Sequence, residues 1–230
     1  MQDKPFGPDP RRESLLLAML EHVPFDGWTD TAFRAAARDA GIAPDQARVI
    51  APRGGLDLAV DYHRRGDARM LARLADTDLS ARRMRDRIAA AVRYRIEAAD
   101  REIVRRGMTL FALPQNAPTG AALLWGTADA IWTALGDTSQ DANWYSKRAT
   151  LSAVYSATVL YWLGDHSEGN VDTWDFLDRR IDGVMRFEKA KARLKDVPVL
   201  GRLMAGPLNP FNHVQAPGRV PDDLPGRVQS

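Results

Sequence analysis

The chain contains no cysteine. Disulfides and cysteine-ligated zinc or iron–sulfur centres are therefore excluded, which fits a reducing compartment. Long apolar runs are also missing. The longest, Ala121 to Leu135, is short and broken by Asp129, so it does not read as a membrane span. The N-terminus, MQDKPFGPDPRR, lacks the apolar core of a signal peptide. The expectation is a cytoplasmic protein that is still able to lie on a membrane surface. Period-two alternation is nearly absent, so strands are not expected. Signatures of catalysis are lacking as well. His22, His63, His166 and His213 are scattered, no glutamate has a histidine three residues later, and nucleotide-binding and nucleophile-elbow patterns do not occur. Asp172, Asp175 and Asp178 lie on one helix side near its start, where a solvated acidic face is the ordinary reading. No catalytic residue, no metal site and no cofactor is expected, although a spatial cluster invisible in sequence leaves room for a quinone-modifying enzyme.

What remains is helix. Period-3.6 patterning predicts nine or ten helices, which makes the fold all-α. The first helix covers about 11–21 and ends around Pro24 and Asp26-Gly27. The second runs from about Thr31 to Asp39, capped by Thr29 or Asp30. A tight turn at Gly41 leads to a short third helix from Pro44 to about Ile50. A fourth spans about 56–75. Ser80 is the expected cap of one long fifth helix reaching Arg106, ended by Gly107. Three more follow, over 119–135, 139–163 and 173–194. The domain reading is a helix-turn-helix-like module at 11–54, a helical ligand-binding domain at 55–195, a short amphipathic segment at 196–211 and a disordered tail at 212–230.

The sequence pI near 9 invites a nucleic-acid reading, but the charge is unevenly placed. Residues 81–106 carry nine arginines against four acids, whereas 1–80 carry more acids than bases. The helix that would enter a major groove, Pro44 to Ile50, offers one cation, Arg48, and one anion, Asp45. Phosphate neutralisation supplies most non-specific DNA affinity, so DNA binding is not favoured. A ligand-responsive repressor of the tetracycline-repressor type remains the alternative. The basic segment has no assigned role beyond facing anionic lipid or the acidic segment 107–181.

Residues 136–181 hold seven of the eighteen aromatic side chains. Trp144, Tyr155 and Trp162 follow one helix face with Val154 and Thr158, and the inner aromatics read equally as core or as cavity wall. By helical spacing, the candidate lipid-lining residues are Trp125, Ile131, Trp132, Val154, Tyr155, Thr158, Trp162 and Phe176. Trp144 and Tyr145, beside charged residues at the helix start, read as a contact surface. Near the C-terminus, Val199, Leu200, Leu203 and Met204 form an apolar stripe after Lys189, Lys191, Arg193 and Lys195. That pattern suits anionic headgroups, or else the stripe packs on the protein's own core.

The segment Gly-Asp-Thr-Ser-Gln-Asp-Ala-Asn-Trp-Tyr-Ser-Lys-Arg at 136–148 resembles the signature of the ubiquinone-biosynthesis accessory proteins of the Coq-nine family. Val-Tyr-Ser-Ala-Thr at 154–158 and Asp-Thr-Trp-Asp-Phe-Leu-Asp-Arg-Arg-Ile at 172–181 continue it. Phe25 to Trp28, Phe111 to Pro118 and Ala128 to Trp132 also fit. The resemblance implies a tetracycline-repressor-like all-α homodimer without DNA reading. It implies an isoprenoid quinone or phospholipid in an internal pocket, and presentation of quinone intermediates to the di-iron demethoxyubiquinone hydroxylase. The hydroxylase-facing patch would be Asp141, Asn143, Trp144, Tyr145 and Arg148. The family's C-terminal amphipathic helix docks on membrane, which implies peripheral association with the inner membrane. This chain departs from that pattern in its short, glycine-containing stripe at 198–205.

Overall fold

Asp9 starts the first helix, α1 (Pro10–Asp26), by accepting a hydrogen bond from the Arg11 amide at 3.0 Å, while Pro10 presets the helical φ. The structure is a computed structural model and describes residues 9–195, with side-chain surroundings as far as Val184. Pro24 sits inside α1 rather than ending it, and the helix stops at Gly27. Thr29 caps α2 (Asp30–Asp39) through the Ala32 amide. Gly41, at φ 66°, makes the turn into α3 (Pro44–Ile50). Next comes α4 (Gly55–Ala75), whose first residue must be small: a Cβ on Gly55 would lie 2.5 Å from the Trp28 carbonyl oxygen.

The single fifth helix expected over 80–106 is two helices, α5 (Met84–Glu97) and α6 (Arg101–Phe111). Asp100 causes the break. Its backbone is extended, and its carboxylate caps the Glu102 and Ile103 amides at 2.9 and 3.0 Å. The Asp100 amide in turn donates to the Tyr62 phenol at 2.8 Å. Ser80 is not the cap: α5 begins after Arg83 without a side-chain cap. The remaining helices are α7 (Ala117–Ala134), α8 (Ala142–Gly164) and α9 (Val171–Lys195), with a short 3-10 turn at Glu168–Asn170. No strand occurs among the described residues, and no helix there is long and apolar enough to cross a membrane.

Two apolar clusters fill the interior. The first joins α1, α2 and α3 to the start of α4 through Leu15, Met19, Phe33, Trp28 and Leu58, and takes Ile103 from α6. The second joins the end of α4 to α5, α7, α8 and α9 through Met70, Val92, Ile131, Tyr155 and Leu177. Helix α4 thus belongs to both, and the space between them lies along α4 and α6.

The basic segment is largely occupied by its own surroundings. Arg93 bonds Glu97, Arg85 reaches Asp178 and Asp182, and Arg83 pairs with Asp86. Arg87, Arg101 and Arg106 donate to backbone carbonyls of Ser80, Asp165 and Pro24. Part of the expected acidic counterpart is therefore found on α9 of the same chain. On α3, Arg48 pairs with Asp30 and lies 4.8 Å above the Phe33 ring. The one cation of the would-be reading helix is held by its own module.

Candidate functional site: a cavity between two cores

The gap between the clusters is a cavity of about 410 Å³, within the range of small-molecule sites. Trp28, Ala59 and Ile103 come from the first cluster; Ile96, Tyr155, Val159 and Trp162 come from the second. The room exists because small residues face it: Gly107, Ala112, Ala117, Gly120 and Ala121 all line the wall. Gly120 has no alternative, since a Cβ there would meet Phe111 Cβ at 2.9 Å.

One polar chain borders this apolar wall. Arg95 on α5 is 3% exposed. Its Nε donates to Asp67 at 2.6 Å and its terminal nitrogen to the His63 carbonyl at 2.9 Å. The Thr127 hydroxyl donates to the same Asp67 oxygen and meets His63 Nε2, both at 2.9 Å. Gly66 makes the crossing possible, because a Cβ there would lie 2.5 Å from the Arg95 guanidinium carbon. Burial, followed by the neighbouring Arg95 charge, lowers the His63 pKa to about 4. The imidazole is therefore neutral at physiological pH. Burial also raises the Tyr155 pKa. On the wall, Trp28 is 6% exposed and its buried indole N–H has no hydrogen-bond partner.

The candidate lining residues distribute unevenly. Tyr155 and Trp162 line the cavity. Trp132 and Val154 line a second groove of about 510 Å³ formed with Met84, Ile88, Lys147 and Ile181. Ile131 is buried in the second cluster, and Thr158 is buried with its hydroxyl on the Val154 carbonyl. Phe176 stacks on Tyr161 with ring centroids 4.5 Å apart, away from both spaces. Trp125 belongs to a different group, 5.7 Å from Trp144 and 6.2 Å from Tyr145. Helical spacing on α8 found only one wall. Trp28, Tyr62, His63, Arg95, Ile96 and Phe111 come from α4, α5, α6 and the loop before α2, and were missed. The sequence signal nearest to them is the scatter of small residues around Phe111, Gly107, Ala112, Ala117, Gly120 and Ala121, which periodicity does not register.

At the start of α8, Asp141 caps the helix through the Asn143 amide at 2.9 Å and also receives the Asn143 side chain. Trp144 is half-buried, Tyr145 is exposed, and the two rings meet edge to face at 4.8 Å. Arg148 differs from the other four patch residues, because it is buried. Its guanidinium bonds Asp129 at 2.6 Å and Asp137 at 3.0 Å and lies 4.0 Å from the Trp144 ring. It supports the aromatic pair from beneath and presents no charge outward. Lys147 adds a bond to Asp137 at 2.7 Å. Burial would raise the Asp137 pKa, but hydrogen bonds from Lys147, Ser139 and Arg148 outweigh it and lower the value to about 2. Among the described residues, no group of histidine, aspartate and glutamate is arranged to hold a metal ion. The apolar stripe Val199, Leu200, Leu203 and Met204 and the tail 212–230 lie outside the described residues.

The COQ9 family profile matches residues 117–188. Over 186 residues the chain is 33% identical to the mitochondrial ubiquinone biosynthesis protein COQ9 of Drosophila melanogaster, the match covering 78% of this chain and 57% of that protein. The corresponding protein of Rattus norvegicus is 32% identical over 190 residues, covering 79% of this chain and 61% of its own length. The chain thus spans about three fifths of the length of these relatives. In architecture it is similar to a TetR transcriptional regulator from Nitrosomonas europaea, with a TM-score of 0.62 at 19% identity, covering 76% of this chain and 97% of that one. At that identity the likeness is one of fold. The profile falls on α7, α8 and most of α9, the helices that carry the Asp129–Asp137–Arg148 corner and the Tyr155–Trp162 wall, and by this match and its relatives the chain belongs to the COQ9 family.

Proposed function

We propose that this protein is a non-catalytic, lipid-binding accessory protein of ubiquinone biosynthesis. It holds an apolar quinone intermediate, or a phospholipid, in the cavity between its two cores. It presents that ligand to the di-iron demethoxyubiquinone hydroxylase, which meets Asp141, Asn143, Trp144 and Tyr145. The observation that carries this reading is the cavity: about 410 Å³ of mostly apolar wall inside a small helical protein. The names of the curated relatives, as ubiquinone biosynthesis proteins, supply the pathway. The reading includes a homodimer, and peripheral docking on the inner membrane through Val199, Leu200, Leu203 and Met204.

Native mass spectrometry of the purified protein, followed by lipid extraction, tests the core of this reading. A co-purifying isoprenoid or phospholipid is expected. A protein that is empty and shifts genomic DNA in a salt-dependent manner would instead be a repressor. For the docking face, Trp144→Ala with Tyr145→Ala should weaken hydroxylase binding while helicity and lipid content hold; unchanged affinity removes the patch. Flotation on liposomes with and without residues 197–211 tests membrane docking, and equal flotation removes that part.

A further inference from the structure

We infer that the cavity selects an uncharged ligand bearing an acceptor oxygen, and that the indole N–H of Trp28 receives that oxygen. This inference rests on the ligand-holding reading above and narrows its ligand class. Trp28 lines the cavity and is 6% exposed, and its Nε1 has no hydrogen-bond partner. Buried donors in folded proteins are nearly always satisfied, because leaving one dry forfeits its hydration with nothing in return. Gly107 is the small residue beside this covered nitrogen, and a Cβ there would sit 3.7 Å from it, so a ligand oxygen reaches the N–H by a small shift of the indole or of α6. An oxygen of a bound ligand is the acceptor the site lacks.

The charge of the ligand follows from the rest of the wall. Arg95 is the one charged side chain among the described lining residues, and its guanidinium is already engaged by Asp67 and by the His63 carbonyl. His63 stays neutral because burial holds its pKa near 4. An anionic headgroup would enter an apolar space without a free cation, and an unpaired buried charge is strongly disfavoured. A carbonyl, ester or ether oxygen on an apolar body meets both conditions. A carboxylate or phosphodiester meets only one.

Three probes of similar shape separate these features: methyl laurate is neutral with an acceptor, dodecane is neutral without one, and laurate at pH 8 is anionic. Each competes on the delipidated full chain with the neutral fluorescent probe N-phenyl-1-naphthylamine. Methyl laurate should bind about tenfold tighter than dodecane, the equivalent of one net hydrogen bond. Laurate should bind at least about tenfold more weakly than methyl laurate. Replacing Trp28 by benzothienylalanine, which puts sulfur in place of the N–H at nearly constant shape, should reduce methyl laurate to the affinity of dodecane. Dodecane itself should be unaffected, with the circular dichroism spectrum unchanged. Trp28→Phe should give the same loss of discrimination. Equal binding of methyl laurate and dodecane to the unaltered protein overturns the acceptor; laurate binding tightest overturns the charge selection by showing that Arg95 opens toward an anion. Failure of all three to displace the probe would remove the cavity as a ligand site, and the proposed function with it.

Discussion

Arg95 and Arg148 are both buried guanidiniums, 3% and 2% exposed, and both bond a carboxylate from a neighbouring helix. Their surroundings differ. Arg148 stands between Asp129 and Asp137 with Lys147 beside it, so two cations and two anions form a continuous chain of ion pairs at the corner of α7 and α8. Arg95 faces one carboxylate, Asp67, and its remaining neighbours are a carbonyl, the neutral His63 and the Tyr155 ring 5.9 Å away. The first arrangement fixes a corner and tilts an aromatic pair toward solvent. The second neutralises a wall, so that an apolar cavity can contain an arginine. The same residue type thus serves rigidity in one place and vacancy in the other.

Removing the corner cation should have the largest effect. Arg148→Ala leaves Asp137, whose side chain is 3% exposed, buried with Lys147 as its one remaining cation and with Ser139 as a neutral donor. Loss of one partner from a buried pair costs about 3–5 kcal/mol. Urea unfolding should register that loss, and Trp144 emission should shift as its cation support disappears. A change below about 1 kcal/mol would mean the corner is wet, and the contrast with Arg95 would collapse.

Acid should separate the two networks in turn. Between about pH 6.5 and 4 the unfolded chain takes a proton at His63 and the folded chain does not, so stability falls as pH drops through that window. The size of the shift corresponds to about 3 kcal/mol. Below about pH 4, Asp137 gives a second decline toward its folded value of about 2, joined by Asp165, whose hydrogen bonds from Ser167 and Thr173 also hold its carboxyl well below the usual range. His63→Gln keeps a partner for Thr127 but does not titrate, so it should flatten the first step and spare the second. Denaturant midpoints taken across this pH range read both.

The corner was far more legible in the sequence than the wall. Gly136 to Arg148 is one continuous motif, and the Asp129, Asp137, Asp141 and Arg148 contacts are local, at most nineteen residues apart. Its orientation was not legible, because whether Arg148 points in or out depends on where Asp129 sits on α7. The cavity joins Trp28 to Tyr155 and His63 to Thr127, across gaps that no helical period spans. Fold class was readable because period-3.6 patterning is a property of each segment alone. The α5–α6 break escaped because apolar residues keep stepping at i+3 and i+4 through Asp100, although Ile96 of α5 packs in the second cluster and Ile103 of α6 in the first.

Gly66 allows a milder test of the wall. Gly66→Ala places a Cβ where the Arg95 guanidinium now lies, at 2.5 Å, and that guanidinium is held by two hydrogen bonds. Overpacking of this kind costs about 1–3 kcal/mol. The displaced arginine should also enter the cavity and reduce its capacity for a neutral ligand. Retained stability with reduced ligand binding would still mark Arg95 as wall; unchanged values of both would show that the guanidinium has room to move and that the cavity is less defined than the corner.

The smallest effect concerns the break that brings α6 across to the cavity. Asp100→Ala removes the cap on the Glu102 and Ile103 amides, worth about 1 kcal/mol. Alanine also favours continuing the helix, so residues 84–111 would tend toward the single long helix that the periodicity alone predicts. A straight helix would carry Ile103, Gly107 and Met108 away from Trp28, since these residues of α6 line the cavity only because the chain turns at Asp100. Helicity should therefore rise slightly while stability and ligand capacity both fall. If stability drops with no change in helicity or binding, then Tyr62, which accepts from the Asp100 amide, holds the break without the cap; Asp100→Ala combined with Tyr62→Phe should then release it, because the backbone amide that marks the turn has lost its acceptor.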